Sequence, residues 1–204
     1  MKIIAVANVE QQQEILEKKM NAGAGIIFKN GWEEIHDEYD ALFLLEENIP
    51  GEVMQTLKEK PVIINSVIET LHGLPENVSR INGWSGFLKR EVWEIASNNE
   101  ASASRVFDAL GWQVIFVKDE PGLIAARVIS MIINEAYFAL GEQVSTIKDI
   151  NLAMKLGTNY PYGPFEWADK IGIQKIYALL ENLAANNDRY SIAPQLKKQL
   201  HFSN

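Results

Sequence analysis

No cysteine occurs in this chain. That excludes a disulfide framework, a thiolate metal site and a cysteine nucleophile, and it points to the cytoplasm as the compartment. No uninterrupted apolar run reaches the about 20 mostly uncharged residues of a membrane span. The longest stretch, Leu123 to Leu140, is broken by Arg127, Ser130, Asn134 and Glu135 and is expected to be a buried core helix. Met1-Lys2 leads directly into Ile3-Ile4-Ala5-Val6-Ala7, too short for a secretory signal and followed by no small-residue cleavage pattern. Histidine is scarce. His36, His72 and His201 lie far apart without ligand spacing, so no metal site is expected. Positive charge is the minority sign: a net charge of −8 and a pI near 5.0 give no overall pull toward nucleic acid or a membrane, and neither is expected as a partner.

A further absence is local. Dinucleotide-binding βαβ units run from the first strand into a glycine-rich turn, because residues without Cβ let backbone N–H groups approach a pyrophosphate at a helix N-terminus. Here the first apolar run ends Ala5-Val6-Ala7-Asn8-Val9-Glu10, with no glycine and with a carboxylate where phosphate would sit. Gly23 and Gly25 precede the second apolar run and read as a helix-to-strand turn. Ile27-Phe28 runs into Lys29-Asn30-Gly31, without the acidic residue that would hold an adenosine ribose. No cofactor is therefore expected.

What is present suffices for a buried core: 204 residues, 47% hydrophobic and 23% charged, in one large domain or two small ones. Through the first half, β-branched runs alternate with helical patterns, which indicates βαβ units and a parallel sheet. Strands are expected at Lys2–Ala7, Ile26–Phe28, Ala41–Leu45, Pro61–Asn65, Ile81–Gly83 and Trp112–Lys118, and helices at Glu10–Met20, Glu52–Glu59 and Ala101–Leu110, the last stopped by Gly111. Beyond Asp119-Glu120-Pro121-Gly122, apolar residues recur every three or four positions. Helices are expected at Gly122–Glu142, Thr146–Leu156, Phe165–Ile171, Gln174–Asn186 and Ala193–His201. Ser145 is expected to cap the second, with Lys148 at the capping-box position, while Pro164 opens the third and Gly172 ends it. The expected organisation is an α/β domain at 1–119 followed by an all-α domain at 120–204.

The segment Val117-Lys118-Asp119-Glu120-Pro121-Gly122-Leu123-Ile124-Ala125-Ala126-Arg127, with Asn134-Glu135-Ala136 behind it, resembles the joint between domains in 3-hydroxyacyl-CoA dehydrogenases. Lys148-Asp149-Ile150-Asn151-Leu152-Ala153-Met154-Lys155-Leu156-Gly157, then Pro161-Tyr162-Gly163-Pro164-Phe165-Glu166-Trp167-Ala168-Asp169-Lys170-Ile171-Gly172, closely resembles that family's C-terminal helical domain. The resemblance is firm over about residues 112–185 and collinear from 61. It implies a shortened Rossmann-like domain followed by a helical domain that forms a homodimer. It also implies NAD-dependent oxidation of a 3-hydroxyacyl-CoA by a histidine base oriented by a glutamate, a task for which imidazole has a suitable pKa.

The family's Gly-Leu-His-Phe-Phe, loop and Val-Glu-Val resemble Gly83-Trp84-Ser85-Gly86-Phe87 followed by Trp93-Glu94-Ile95. Ser85 stands at the histidine's place. Glu94 matches the orienting glutamate, and reads either as a vestige of that role or as a surface carboxylate on the chain leading into the next helix. Asn65-Ser66 resembles a family segment whose serine contacts substrate, so Ser66 is either such a contact or an ordinary strand end. The family's asparagine after Pro-Gly is Ala126 here. His72 reads as a substitute base or as a solvated loop residue. Lys89, Arg90 and Arg127 are the candidates for meeting the phosphates of an acyl-CoA-like ligand, against plain surface charge. Two readings result: a non-catalytic, dimerising scaffold or acyl-CoA-binding protein without NAD, and a working oxidoreductase of fatty acid metabolism that uses NAD. The apolar helix over Leu123–Leu140 supports the homodimer in either case.

Overall fold

The computed structural model describes residues 1–35, 38–46, 57 and 59–202. It divides into two compact units, Met1–Leu123 and Ile124–Asn204.

The first unit holds a seven-stranded sheet in the order β2-β1-β3-β4-β5-β6-β7. The strands are β1 (Lys2–Val6), β2 (Gly25–Lys29), β3 (Ala41–Leu44), β4 (Val62–Asn65), β5 (Val78–Ile81), β6 (Val92–Ser97) and β7 (Gln113–Phe116). All neighbours pair in parallel except β5 and β6, which run antiparallel with Arg80 opposite Ala96. Central strands buried on both faces explain the near-continuous apolar runs that announced them. Alternation along those runs sorts side chains into two cores. Ile3, Ala5, Phe43, Leu45 and Ile63 face a cluster that includes Trp93, Phe107 and Trp112, and Ile4, Val6, Leu42, Leu44 and Val62 face one that includes Leu71 and Leu123.

Two α-helices accompany these strands among the described residues, α1 (Val9–Leu16) and α2 (Glu100–Leu110), with a single 3-10 turn at Trp32–Glu34. Helix α2 buries Ala103, Val106, Phe107 and Leu110 and ends at Gly111, whose φ of 74° is the left-handed cap expected there. The helix expected at Glu52–Glu59 lies largely on residues outside those described.

Three expectations need correction. Helix α1 stops at Leu16 rather than Met20. The strand expected at Ile81–Gly83 is Val78–Ile81, because the chain turns at Asn82 into a loop. Glu94 does lie on the chain leading into the next helix, α2, but inside a strand, β6, that was not expected.

The second unit is helical: α3 (Ala125–Gly141), α4 (Ile147–Thr158), α5 (Pro164–Ile171), α6 (Ile173–Ala184) and α7 (Pro194–Phe202). Helix α3 packs against α5, α6 and α7, and α4 against α5. Thr146, not Ser145, caps α4: its Oγ1 accepts from Asp149 N at 3.2 Å and donates to Asp149 Oδ2 at 2.8 Å, so the acidic third position decides the cap. Pro164 opens α5 as expected. The glycine before it has a packing reason, since a Cβ on Gly163 would stand 2.5 Å from the Asn151 Cα of α4. Asn151 Oδ1 also accepts from Phe165 N at 2.9 Å, so one side chain fixes the α4–α5 corner. Buried Asn134 does the same for the chain entering α7, donating to Ser191 O and accepting from Ala193 N, each at 2.9 Å. No helix among the described residues is long and apolar enough to cross a membrane.

Candidate functional site

In a doubly wound sheet, ligands bind outside the carboxyl ends of strands where the strand order reverses. Here β1 is flanked by β2 on one side and β3 on the other, so the reversal lies between the ends of β1 and β3, at Ala7-Asn8 and Leu45. The chain fills that place with its own side chains. Asn8 caps α1 through Oδ1, accepting from Gln11 N at 2.9 Å, and Gln11 Oε1 accepts from Asn8 N at 3.1 Å, a reciprocal capping box. Gln11 Nε2 then donates to Leu45 O at 2.8 Å and Gly83 O at 3.1 Å, with the residue only 6% exposed. Asn65 adds a third tie, donating to Leu45 O and accepting from Gly83 N. A Cβ on Gly83 would lie 2.7 Å from Asn65 Cγ, so this approach requires glycine. With the first-turn N–H of Gln11 already satisfied, side chains of Asn8 and Gln11 at the bend and Glu10 beside it, these residues do not fit a dinucleotide pyrophosphate.

Helix α1 presents a polar inner face to the segment after β5. Ser85 donates through its hydroxyl to Glu10 Oε2 at 2.6 Å. One turn further, buried Glu14 accepts the backbone N–H groups of Gly86, of Leu88 at 2.9 Å and of Lys89 at 3.3 Å. Next, Lys18 donates to Arg90 O, and its Nζ lies 5.4 Å and 5.1 Å from the ring centroids of Trp93 and Trp112. Burial between those rings holds the Lys18 pKa below the usual lysine value, against the opposing pull of Glu91.

The other side of the sheet end carries a fully buried cation that the sequence reading overlooked. Arg80, on β5, donates through Nε to Asp119 Oδ1 at 2.5 Å, through one terminal nitrogen to Ser66 O at 2.9 Å and through the other to Glu120 O at 2.6 Å. Asp119 Oδ2 accepts from Leu71 N at 2.8 Å. Ser66 is thereby tied down: its carbonyl serves Arg80 and its hydroxyl donates to Glu69 O at 2.9 Å.

Glu94 is half-buried on β6 and lines a small recess with Asn82, Phe87, Arg90, Val92 and Trp93. Lys89 and Arg90 are exposed, the Arg90 guanidinium lying 4.2 Å from the centroid of the Phe87 ring. Arg127 is half-buried on α3 and Ala126 fully buried beside it, both in the helical unit. His72 is exposed in the turn after Leu71, while His36 and the His201 side chain fall outside the described residues. No cluster of three or more potential metal-ligating side chains occurs among the described residues. Within the helical unit, Lys155 pairs with Glu166 at 2.7 Å; that hydrogen bond, aided by the Gly163 N–H, holds the Glu166 pKa below the usual carboxylate value.

Comparison with known proteins gives this geometry a lineage. The model of the 3-hydroxyacyl-CoA dehydrogenase C-terminal domain matches residues 122–202. The 3-hydroxyadipyl-CoA dehydrogenase of Escherichia coli K12 is 49% identical over 73 residues, which are 36% of this chain and 15% of that protein. The 3-hydroxybutyryl-CoA dehydrogenase of Bradyrhizobium diazoefficiens is 38% identical over 99 residues, 47% of this chain and 34% of its own length. The matches thus span 15% and 34% of these two relatives. The structure of (S)-3-hydroxybutyryl-CoA dehydrogenase from Ralstonia eutropha superposes with a TM-score of 0.74 over 99% of this chain and 93% of that one, at 17% identity, a likeness of fold. A Rossmann-like, mainly parallel sheet followed by helices of this kind, and a sequence match centred on those helices, give one conclusion: residues 122–202 of this chain are similar to the C-terminal domain of 3-hydroxyacyl-CoA dehydrogenases.

Proposed function

We propose that this chain is a non-catalytic, NAD-independent member of the 3-hydroxyacyl-CoA dehydrogenase family, acting as a homodimeric scaffold or as a receptor for an acyl-CoA-like molecule. The observation that carries this reading is the self-filled end of β1 and β3, where Gln11 joins the cap of α1 to the Leu45 and Gly83 carbonyls. A pyrophosphate would have to displace a buried amide whose hydrogen bonds are satisfied, and would meet the Glu10 carboxylate at a helix start that favours its own capping. Two further replacements support it. Ser85 stands where the resemblance places a base, and a serine hydroxyl does not accept a proton near neutral pH. Ala126 stands where it places a polar amide. Losing such groups costs orders of magnitude in rate. Lys89 and Arg90 of the sheet unit, and separately Arg127 of the helical unit, are the cations proposed to meet anionic groups.

The alternative, an active NAD-dependent oxidoreductase, is supported by the likeness to that family, and fold does not carry function with it. Titrating the purified protein with NADH and following NADH oxidation with acetoacetyl-CoA separates the two. The expected outcome is neither saturable binding at millimolar NADH nor turnover; saturable binding with turnover overturns the scaffold reading.

The homodimer is supported by helix α4. None of its residues is buried, yet Ile147 and Leu152 are each 49% exposed and Leu156 is 78% exposed. An apolar helix surface of this kind is a site for a partner, and a second copy presents the same patch to itself about a twofold axis. Light scattering is expected to give twice the 23.0 kDa chain mass. Leu152→Glu with Leu156→Glu is expected to halve that value without loss of helical circular dichroism. A wild-type protein that runs only as a monomer rules this assembly out.

A further inference from the structure

We infer that the loop Trp84 to Lys89 is a carboxylate-binding nest whose resident ligand is the protein's own Glu14. The loop's geometry sets this up before any side chain is considered. Its turn uses one amide internally, Phe87 N donating to Trp84 O at 3.0 Å. The amides on either side of that one, Gly86 and Leu88, together with Lys89, all converge on the Glu14 carboxylate: Gly86 on one oxygen, Leu88 and Lys89 on the other. Gly86 has a φ of 90°, in the left-handed region that turns successive N–H groups toward one point, the arrangement that forms anion-binding concavities elsewhere.

Glu14 is 6% exposed, so its charge is neutralised by backbone dipoles instead of by solvent. Helix α1 reaches the loop because Glu10 and Glu14, one turn apart, share a face, and Glu10 holds the Ser85 hydroxyl while Glu14 fills the nest. The donors belong to the loop and the acceptor to α1, so removing the acceptor leaves three converging amides that a free small carboxylate can satisfy in its place. The chemical class of ligand is a monoanionic carboxylate of formate or acetate size. The inference is independent of whether the protein binds NAD or dimerises.

The test is chemical rescue of the full-length Glu14→Ala protein. Its thermal midpoint is expected to fall well below that of the wild type. Sodium formate is expected to raise it saturably, by about 5–10 °C once formate exceeds its dissociation constant about a hundredfold, with acetate following and sodium chloride at equal ionic strength giving no comparable rise. Wild type and Glu14→Gln, whose nests remain filled, are expected to show no formate-specific shift. If Glu14→Ala does not fold unaided, its refolding yield in formate against chloride replaces the midpoint. Equal responses to formate and chloride, or none to either, overturn the inference. A second readout needs no variant: in wild type, the Gly86, Leu88 and Lys89 amides are expected to exchange with deuterium as slowly as those of the central strands, and exchange at open-loop rates overturns it as well.

Discussion

Arg80→Met is expected to destabilise the sheet unit by about 3–5 kcal/mol in urea unfolding. Arg80 is fully buried, and its guanidinium is shared by Asp119, the Ser66 carbonyl and the Glu120 carbonyl. Methionine fills much of the volume, so the loss comes from the groups left behind rather than from a cavity. Those are a carboxylate without its cation, the Ser66 carbonyl without the guanidinium, and the Glu120 carbonyl reduced to the Leu123 N–H at 3.0 Å. Asp119, with its side chain 31% exposed, recovers some hydration, which places the expectation toward the lower end of the range. Asp119→Asn alone is expected to cost a comparable amount, because one amide oxygen cannot replace two carboxylate oxygens that accept from Arg80 Nε and from Leu71 N, and the buried guanidinium loses its counter-ion. The double variant should be less damaging than the sum of the singles, since each removes the same interaction. A loss below about 1 kcal/mol for Arg80→Met contradicts the clamp.

Gln11→Ala is expected to cost about 2–4 kcal/mol, large for a residue on a short helix near its start. Its amide makes three hydrogen bonds at the strand ends, to Asn8 N, Leu45 O and Gly83 O. Truncation leaves the Gly83 carbonyl in a buried position without that donor; Leu45 keeps Asn65 Nδ2 at 3.2 Å, and Asn8 N lies near enough to solvent to find water. The same variant probes function. If the filled crevice is what excludes a dinucleotide, opening it removes one obstacle but leaves Glu10 and the absent glycine turn, so NADH affinity is expected to remain undetectable by calorimetry. Gain of tight NADH binding on this one substitution shows that Gln11 alone was the barrier.

Both residues illustrate what the sequence concealed. Gln11 sits in the tract Gln11-Gln12-Gln13, which reads as polar helix surface, and Arg80 in Val78-Ser79-Arg80-Ile81, where one charge interrupts a run too short to establish alternation. Glu14 likewise reads as a solvated carboxylate. By contrast, β1, β3 and β4 were legible because strands buried on both faces must be apolar throughout, and α2 was legible because its apolar spacing ends at Gly111. Strand β6 carried a usable signal that went unread: Val92-Trp93-Glu94-Ile95 places buried Trp93 and Ile95 in alternation, and Asn98-Asn99 closes it before α2. Ser85 was identified by position in the sequence, but its partner, Glu10, lies 75 residues away and could not be paired with it from spacing.

The sequence by itself determined the α/β-then-helical order, the likeness of the helical half to a known C-terminal domain, and the absence of a glycine turn after β1, because these depend on side-chain hydrophobicity and backbone permissiveness, which residue identity specifies. Only the tertiary structure decided which polar residues are buried and what satisfies them. The partners of Gln11, Glu14 and Arg80 are largely backbone amides and carbonyls, and every residue carries nearly the same ones. Their availability is set by where the chain turns in space, so no pattern of letters could show that three side chains on α1 and β5 complete them.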